Sequence, residues 1–248
     1  MTDTRQKLAI YYRQLHDSFP FFLKEVWRFR NLPTPSRVQY DVAKWLQHGP
    51  KRKGIRGFRG LSKTWITIAY IAWKLFNNPN ERVLLVSASM GHSRKSLHML
   101  RAWIDTVPFL QRLAPQKGSA QRDSGECFDV GPSDWDRTPS VTAVGITGQL
   151  PGIRATLIVP DDVETPENTI TKDQRNLLEK RSEEFESILV PGGRPPLLAP
   201  ANGSHLFVDL RRMVPGWACS FVNKFVNNPP LKQSRNQFRN QSRIQTQP

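Results

Sequence analysis

Cysteine is nearly absent: Cys127 and Cys219 are the only two in 248 residues. That excludes the dense disulfide framework of a small secreted domain and a zinc site built on paired cysteines. Long apolar runs are missing as well. The longest, residues 65–76, contains Lys74 and is far shorter than the ~20 residues a bilayer-spanning helix needs. The opening MTDTRQKLAI carries Asp3 and has no apolar signal core. Histidines are few and scattered; His92 and His98 stand six apart, which suits no helical metal pair. No Asp or Glu follows Asp209. These absences set the expectation of a soluble intracellular protein with no membrane partner.

Basic charge is present in excess. The chain holds 36 Lys and Arg against 21 Asp and Glu, a formal charge of +15. Residues 1–60 carry a net +9, residues 61–210 a net −1, and residues 211–248 a net +7. Two basic ends flank a near-neutral centre. Basic surfaces gain free energy by releasing the counterions condensed on a polyanion, so nucleic acid is the expected partner class.

Length and composition suit one α/β domain with appendages. Helical periodicity marks residues 4–17 and 36–47; in the second, Val38, Val42, Trp45 and Leu46 share a face and Ser36 suits an N-cap. Strand-like segments then alternate with helices: strands at 53–57, 82–87, 126–130, 140–145 and 155–160, helices at 63–76, 92–105 and 171–189. Such alternation predicts a mostly parallel sheet with helices on both faces. We divide the chain into a helical segment (1–50), a strand–helix core (51–190) and a Pro/Gly-rich, then basic and amide-rich tail expected to be disordered (191–248).

Between the first core strand and its helix lies Gly57-Phe58-Arg59-Gly60-Leu61-Ser62-Lys63-Thr64. It follows the phosphate-loop pattern G-x-x-x-x-G-K-[ST] except that Ser62 stands where the second glycine belongs. Gly57 and Gly60 let the backbone turn its N–H groups toward phosphates, and the following helix N-terminus favours an anion. Lys63 would set a point charge against the β/γ-phosphates, and the Thr64 hydroxyl would reach Mg²⁺. A Cβ at Ser62 could crowd a nucleotide. The apolar strand 155–160 ends in Asp161-Asp162-Val163-Glu164. There Asp161 would hold the Mg²⁺ shell, and Asp162 or Glu164 would orient or deprotonate water.

With these residues quoted, the chain resembles the large terminase subunits of tailed bacteriophages, in particular the short-tailed-phage type also called DNA maturase B. The loop matches that family's deviant Walker A, where an arginine stands as Arg59 does. Further likeness lies in Val86-Ser87-Ala88-Ser89, Phe128-Asp129-Val130-Gly131-Pro132, Ser140-Val141, and Val144-Gly145-Ile146-Thr147-Gly148-Gln149-Leu150. Gly152, Arg154 and the acidic run complete it, over about residues 25–190. The resemblance implies a RecA-like P-loop fold, ATP and Mg²⁺ as cofactors, and assembly of several subunits on a portal protein in the host cytoplasm. It implies translocation of double-stranded DNA, with a small terminase subunit recognising the viral DNA. It also places Gln39 as an adenine contact, its amide able to pair with adenine. Arg59 and Arg154 become candidates for an arginine acting in trans or for a cis sensor.

Two departures qualify the resemblance. The strand and Gly-Thr-Pro-like coupling motif expected after the last helix are replaced by Pro195-Pro196-Leu197-Leu198-Ala199-Pro200-Ala201-Asn202-Gly203-Ser204. Codons for residues 200–205, read one nucleotide later, can encode Pro-Gln-Thr-Glu-Val-Thr, close to what relatives carry. A frameshift past about Val190 is therefore the expectation. The family's C-terminal nuclease uses clustered carboxylates on metal ions, and the acid-free stretch after Asp209 cannot build that chemistry. Two alternatives to a packaging motor stand beside it: a helicase-like ATPase on other nucleic acid, and a catalytically silent DNA-binding or assembly fragment.

Overall fold

The computed structural model describes residues 2–50, 53–55, 58, 60–116, 118–148, 152–194 and 197–198. Strand β1 (Lys53–Gly54) is short; β2 (Val83–Ser87) is buried at every position, as a strand covered on both faces must be. It pairs in parallel with β4 (Val141–Gly145) on one side and β5 (Ala155–Pro160) on the other. β3 (Cys127–Phe128) adds antiparallel to β4, and β6 (Leu189–Arg194) adds parallel to β5, giving the order β3-β4-β2-β5-β6. The two-residue strand β7 (Leu197–Leu198) pairs in parallel with β1.

The pleat sends alternate residues to opposite layers. Val83, Leu85, Val141, Ala143, Leu157 and Val159 face a large cluster shared with the N-terminal helices. Leu84, Val86, Val144 and Ile158 face a smaller one closed by Leu178, Phe185 and Ile188. The large layer is made of α1 (Thr2–Asp17), α2 (Phe19–Phe29), α3 (Arg37–His48), α4 (Lys63–Asn77), α5 (Met90–Thr106) and a 3₁₀ helix (Pro108–Leu113). α6 (Pro166–Thr169) and α7 (Lys172–Ile188) follow β5, and α7 covers the other face.

The apolar run that was too short for a membrane is the central helix α4, buried from Ile66 to Phe76. Its Lys74 is buried with the ammonium 5.5 and 5.1 Å from the Tyr70 and Trp73 ring centroids, an electrostatic use of the ring faces. Among the described residues, no helix is long and apolar enough to cross a membrane. α2 is a helix beyond those expected from the sequence. Its N-cap is Ser18, its first turn holds Pro20, and its ring edges meet α4: Phe19 lies 5.2 Å from Tyr70 and Phe22 lies 5.6 Å from Phe76. Truncating either phenylalanine to alanine would cost ~3–5 kcal/mol.

The fold is thus the α/β class expected, a mostly parallel sheet between two helical layers. One expectation is corrected. The chain does form a strand after α7, and β6 crosses the division placed at residue 190. β6 pairs with β5, the acid-ended strand, and β7 pairs with β1, the strand that precedes the glycine loop in sequence. The remainder of the tail lies outside the described residues.

Candidate nucleotide site

Three segments meet at the carboxyl edge of the sheet: the end of the 57–62 loop, the first turn of α4, and the acids that close β5. Gly57 and Arg59 lie outside the described residues. Gly60 has φ +99°, left-handed backbone that suits glycine, and a Cβ there would meet nothing within 4 Å. Ser62 also has left-handed backbone, φ 63° and ψ 37°, where glycine would be unstrained. Ser62 is the N-cap of α4 but caps nothing with its side chain, whereas Ser18, Ser36, Ser89 and Thr171 cap α2, α3, α5 and α7. Among the described residues, no side chain caps the first-turn N–H groups of α4.

The acids come to the same place. The Asp161 N–H donates to the Val86 carbonyl at 2.7 Å, extending the β2–β5 ladder by one residue. This buries Asp161, which is 4% exposed. Its carboxyl is pushed up to about 6, first by burial and then by the neighbouring Asp162 charge; a hydrogen bond from the Thr64 hydroxyl and the Lys63 charge pull the other way. Asp161 Oδ1 is buried with no hydrogen-bond partner. Asp162 adopts φ 46°, and its Oδ1 lies 3.6 Å from Lys63 Nζ. Glu164 is partly buried, and burial raises its carboxyl above the usual range.

Sequence reasoning missed that Asp162 and Lys63 pair directly. It also missed a second role for Gln39. The Gln39 carbonyl oxygen accepts from the Ser36 N–H at 2.8 Å while the Ser36 hydroxyl accepts from the Gln39 N–H, a reciprocal cap. The S-x-x-Q spacing was the available signal. The Gln39 amide nitrogen donates to the Leu61 carbonyl at 3.1 Å, tying α3 to the loop. Both ends of the amide are therefore engaged within the protein.

Arg154 is elsewhere. It precedes β5 at the strand's opposite end from Asp161, and its guanidinium donates to the Ser187 carbonyl at 3.0 Å. Six strand residues at ~3.3 Å each separate it from the acids of its own chain, which removes the cis-sensor reading for Arg154. Asp161, Thr64, Asp162 and Lys63 are brought together by contact, Glu164 follows on the same loop, and Gln39 reaches the group through Leu61.

The donor set fits a magnesium-bound nucleotide. A hydroxyl and a buried carboxylate touch, one carboxylate oxygen is unpartnered, and oxygen donors of this kind suit Mg²⁺. Lys63 and the uncapped helix turn suit phosphates.

No protein-family model matches the chain. It is 42% identical over 192 residues, 77% of its length, to the terminase large subunit of Enterobacteria phage T3. Those residues are 32% of the phage T3 protein, so the chain spans about a third of that relative's length. A solved structure of a Saccharomyces cerevisiae Dbp5 variant, bound to Nup159, a Gle1 variant, IP6 and ADP, is similar with a TM-score of 0.48 and 16% identity. The match covers 78% of this chain and 50% of that one.

Proposed function

We propose, taking as premise that the chain belongs to the phage terminase large-subunit family, that it hydrolyses ATP to drive double-stranded viral DNA into the procapsid. The observation that carries this reading is the Thr64–Asp161 hydrogen bond with the unpartnered Asp161 oxygen beside it and Lys63 close by. Thr64 and Asp161 would hold Mg²⁺, which when bound neutralises charge on the β/γ-phosphates. Lys63 leaves Asp162 for the phosphates as nucleotide arrives, and Gly57, Gly60 and Ser62 shape the backbone that surrounds them. Asp162, released from the ion pair, or Glu164, whose burial favours holding a proton, orients the attacking water and accepts its proton. Gln39 holds the loop through Leu61 and exchanges that bond for adenine. Arg59 or Arg154 of one copy acts on the phosphates of the next, which calls for a homo-oligomeric ring.

The partners of this reading are duplex DNA, the portal protein and the small terminase subunit, in the host cytoplasm. The test is ATP turnover by the full chain with Mg²⁺, with and without duplex DNA, alongside Asp162→Asn and Glu164→Gln. Loss of one general base lowers turnover by ~10²–10⁴-fold, and the variant that shows this loss identifies the base. Absence of turnover in the parent under all conditions would favour the silent DNA-binding fragment, to which the Lys63–Asp162 pair and the strained Ser62 also lend themselves. Turnover stimulated by RNA or single strands but not by duplex would favour the helicase-like reading.

A further inference from the structure

A cleft of about 460 Å³ opens between the end of α2, the first turn of α4 and α5, and none of the acids at the end of β5 lines it. Its walls carry Arg30 from the end of α2 and Arg94, Lys95 and His98 from one face of α5; Trp65 and Trp103 are among its apolar lining. Among the described residues, no acidic side chain lines it. Arg94 pairs with Glu126 outside the cleft. Lys95 and His98 are exposed and make no hydrogen bond or ion pair among the described residues. Arg30 is held by a hydrogen bond to the Thr106 hydroxyl at 2.9 Å, while its buried Nε has no partner. The cations therefore surround an apolar floor of half-buried Trp65, Met99 and Ala102, backed by the fully buried Trp103 ring 5.6 Å from that of Trp65.

We infer that this cleft binds the sugar–phosphate backbone of nucleic acid. Cations at the rim match phosphates, and the apolar floor matches the sugar faces between them. The charged side chains of the lining, Arg30, Arg94 and Lys95, are all cationic, which matches a polyanion. The choice of nucleic acid over an acidic protein segment rests on the proposed function. The cleft also has a route to the nucleotide. Trp65 stands in the first turn of α4 with Lys63 and Thr64, so a backbone seated against its ring bears on the turn that faces the phosphates.

The test measures binding of a labelled duplex to the full chain across a salt series, for the parent and for the Arg94→Ala, Lys95→Ala double variant. Each lost phosphate contact reduces the slope of log K against log salt by ~0.9. The double variant is expected to lower it by about 2 and to leave DNA-free ATP turnover unchanged. An unchanged slope, or a parent that binds no duplex, overturns the inference. So does poly-glutamate binding that the double variant weakens while duplex binding is unaffected; that result assigns the cleft to an acidic protein segment. If the double variant misfolds by circular dichroism, Lys95→Gln alone must lower the slope by about 1, and failure to do so overturns the inference equally. ATP turnover separates the two claims. A parent that binds duplex through the cleft without hydrolysing ATP removes the motor reading only, and an active ATPase with an unaltered slope removes only the cleft.

Discussion

Replacing Asp161 with asparagine should make the metal-free protein more stable while destroying the site. Asp161 is 4% exposed, and its carboxyl is raised from 3.8 to about 6 by burial and by Asp162. At ~1.4 kcal/mol for each tenfold in acidity, the ionised form is about 3 kcal/mol less favourable in the fold than in the unfolded chain. The folded state holds this proton more tightly, so its contribution is fully present below pH 4, is lost as pH rises to about 6, and is flat above that. Asp161→Asn keeps an acceptor for the Thr64 hydroxyl and removes the charge. Urea unfolding in the presence of a chelator should show parent and variant close in stability at pH 4. At pH 8 the variant should be more stable by up to about 3 kcal/mol. The same variant should lose magnesium-dependent ATP turnover. A parent whose advantage or deficit against Asp161→Asn stays constant from pH 4 to pH 8 would refute the reasoning, because the burial and crowding of that carboxylate would then carry no free energy.

Other outcomes follow from backbone geometry. Ser62→Gly removes a side chain from left-handed backbone at φ 63° and should raise stability by roughly 0.5–1 kcal/mol after the entropy of glycine is counted; a drop in the chemical denaturation midpoint would contradict it. Gly145→Ala puts a Cβ 2.8 Å from the Met90 nitrogen and 3.1 Å from the Ser89 carbonyl carbon, both backbone atoms. The end of β4 and the start of α5 must then separate, at a cost of ~1–3 kcal/mol, and an unchanged melting temperature would show that this approach is looser than the geometry states.

Much of the fold could be read because the governing signals were local. β2, β4 and β5 are short apolar runs between turn residues, and α3 starts at the Ser36 cap that sequence spacing displays. α2 and β6 resisted for opposite reasons. In α2, aromatic residues of modest helix propensity are held by their rings against Tyr70 and Phe76, a tertiary effect. In β6, Pro191, Gly192 and Gly193 oppose a strand locally, and pairing with β5 overrides them. The candidate site was legible as a list, since a lysine and hydroxyl after a glycine loop and acids after a buried strand have a shared chemical purpose. Its pairings were not legible. That Asp162 faces Lys63 depends on the left-handed turn at Asp162, and that Gln39 grips Leu61 depends on where α3 packs. Arg154 lost its cis alternative through strand direction, which the sequence does not display without the sheet.

The account stands on Lys63 meeting a triphosphate at the start of α4, and steady-state ATP turnover by the parent and by Lys63→Ala tests it most directly. The account predicts magnesium-dependent turnover in the parent and background turnover in the variant, with circular dichroism of the two superimposable. Equal turnover by both would contradict it.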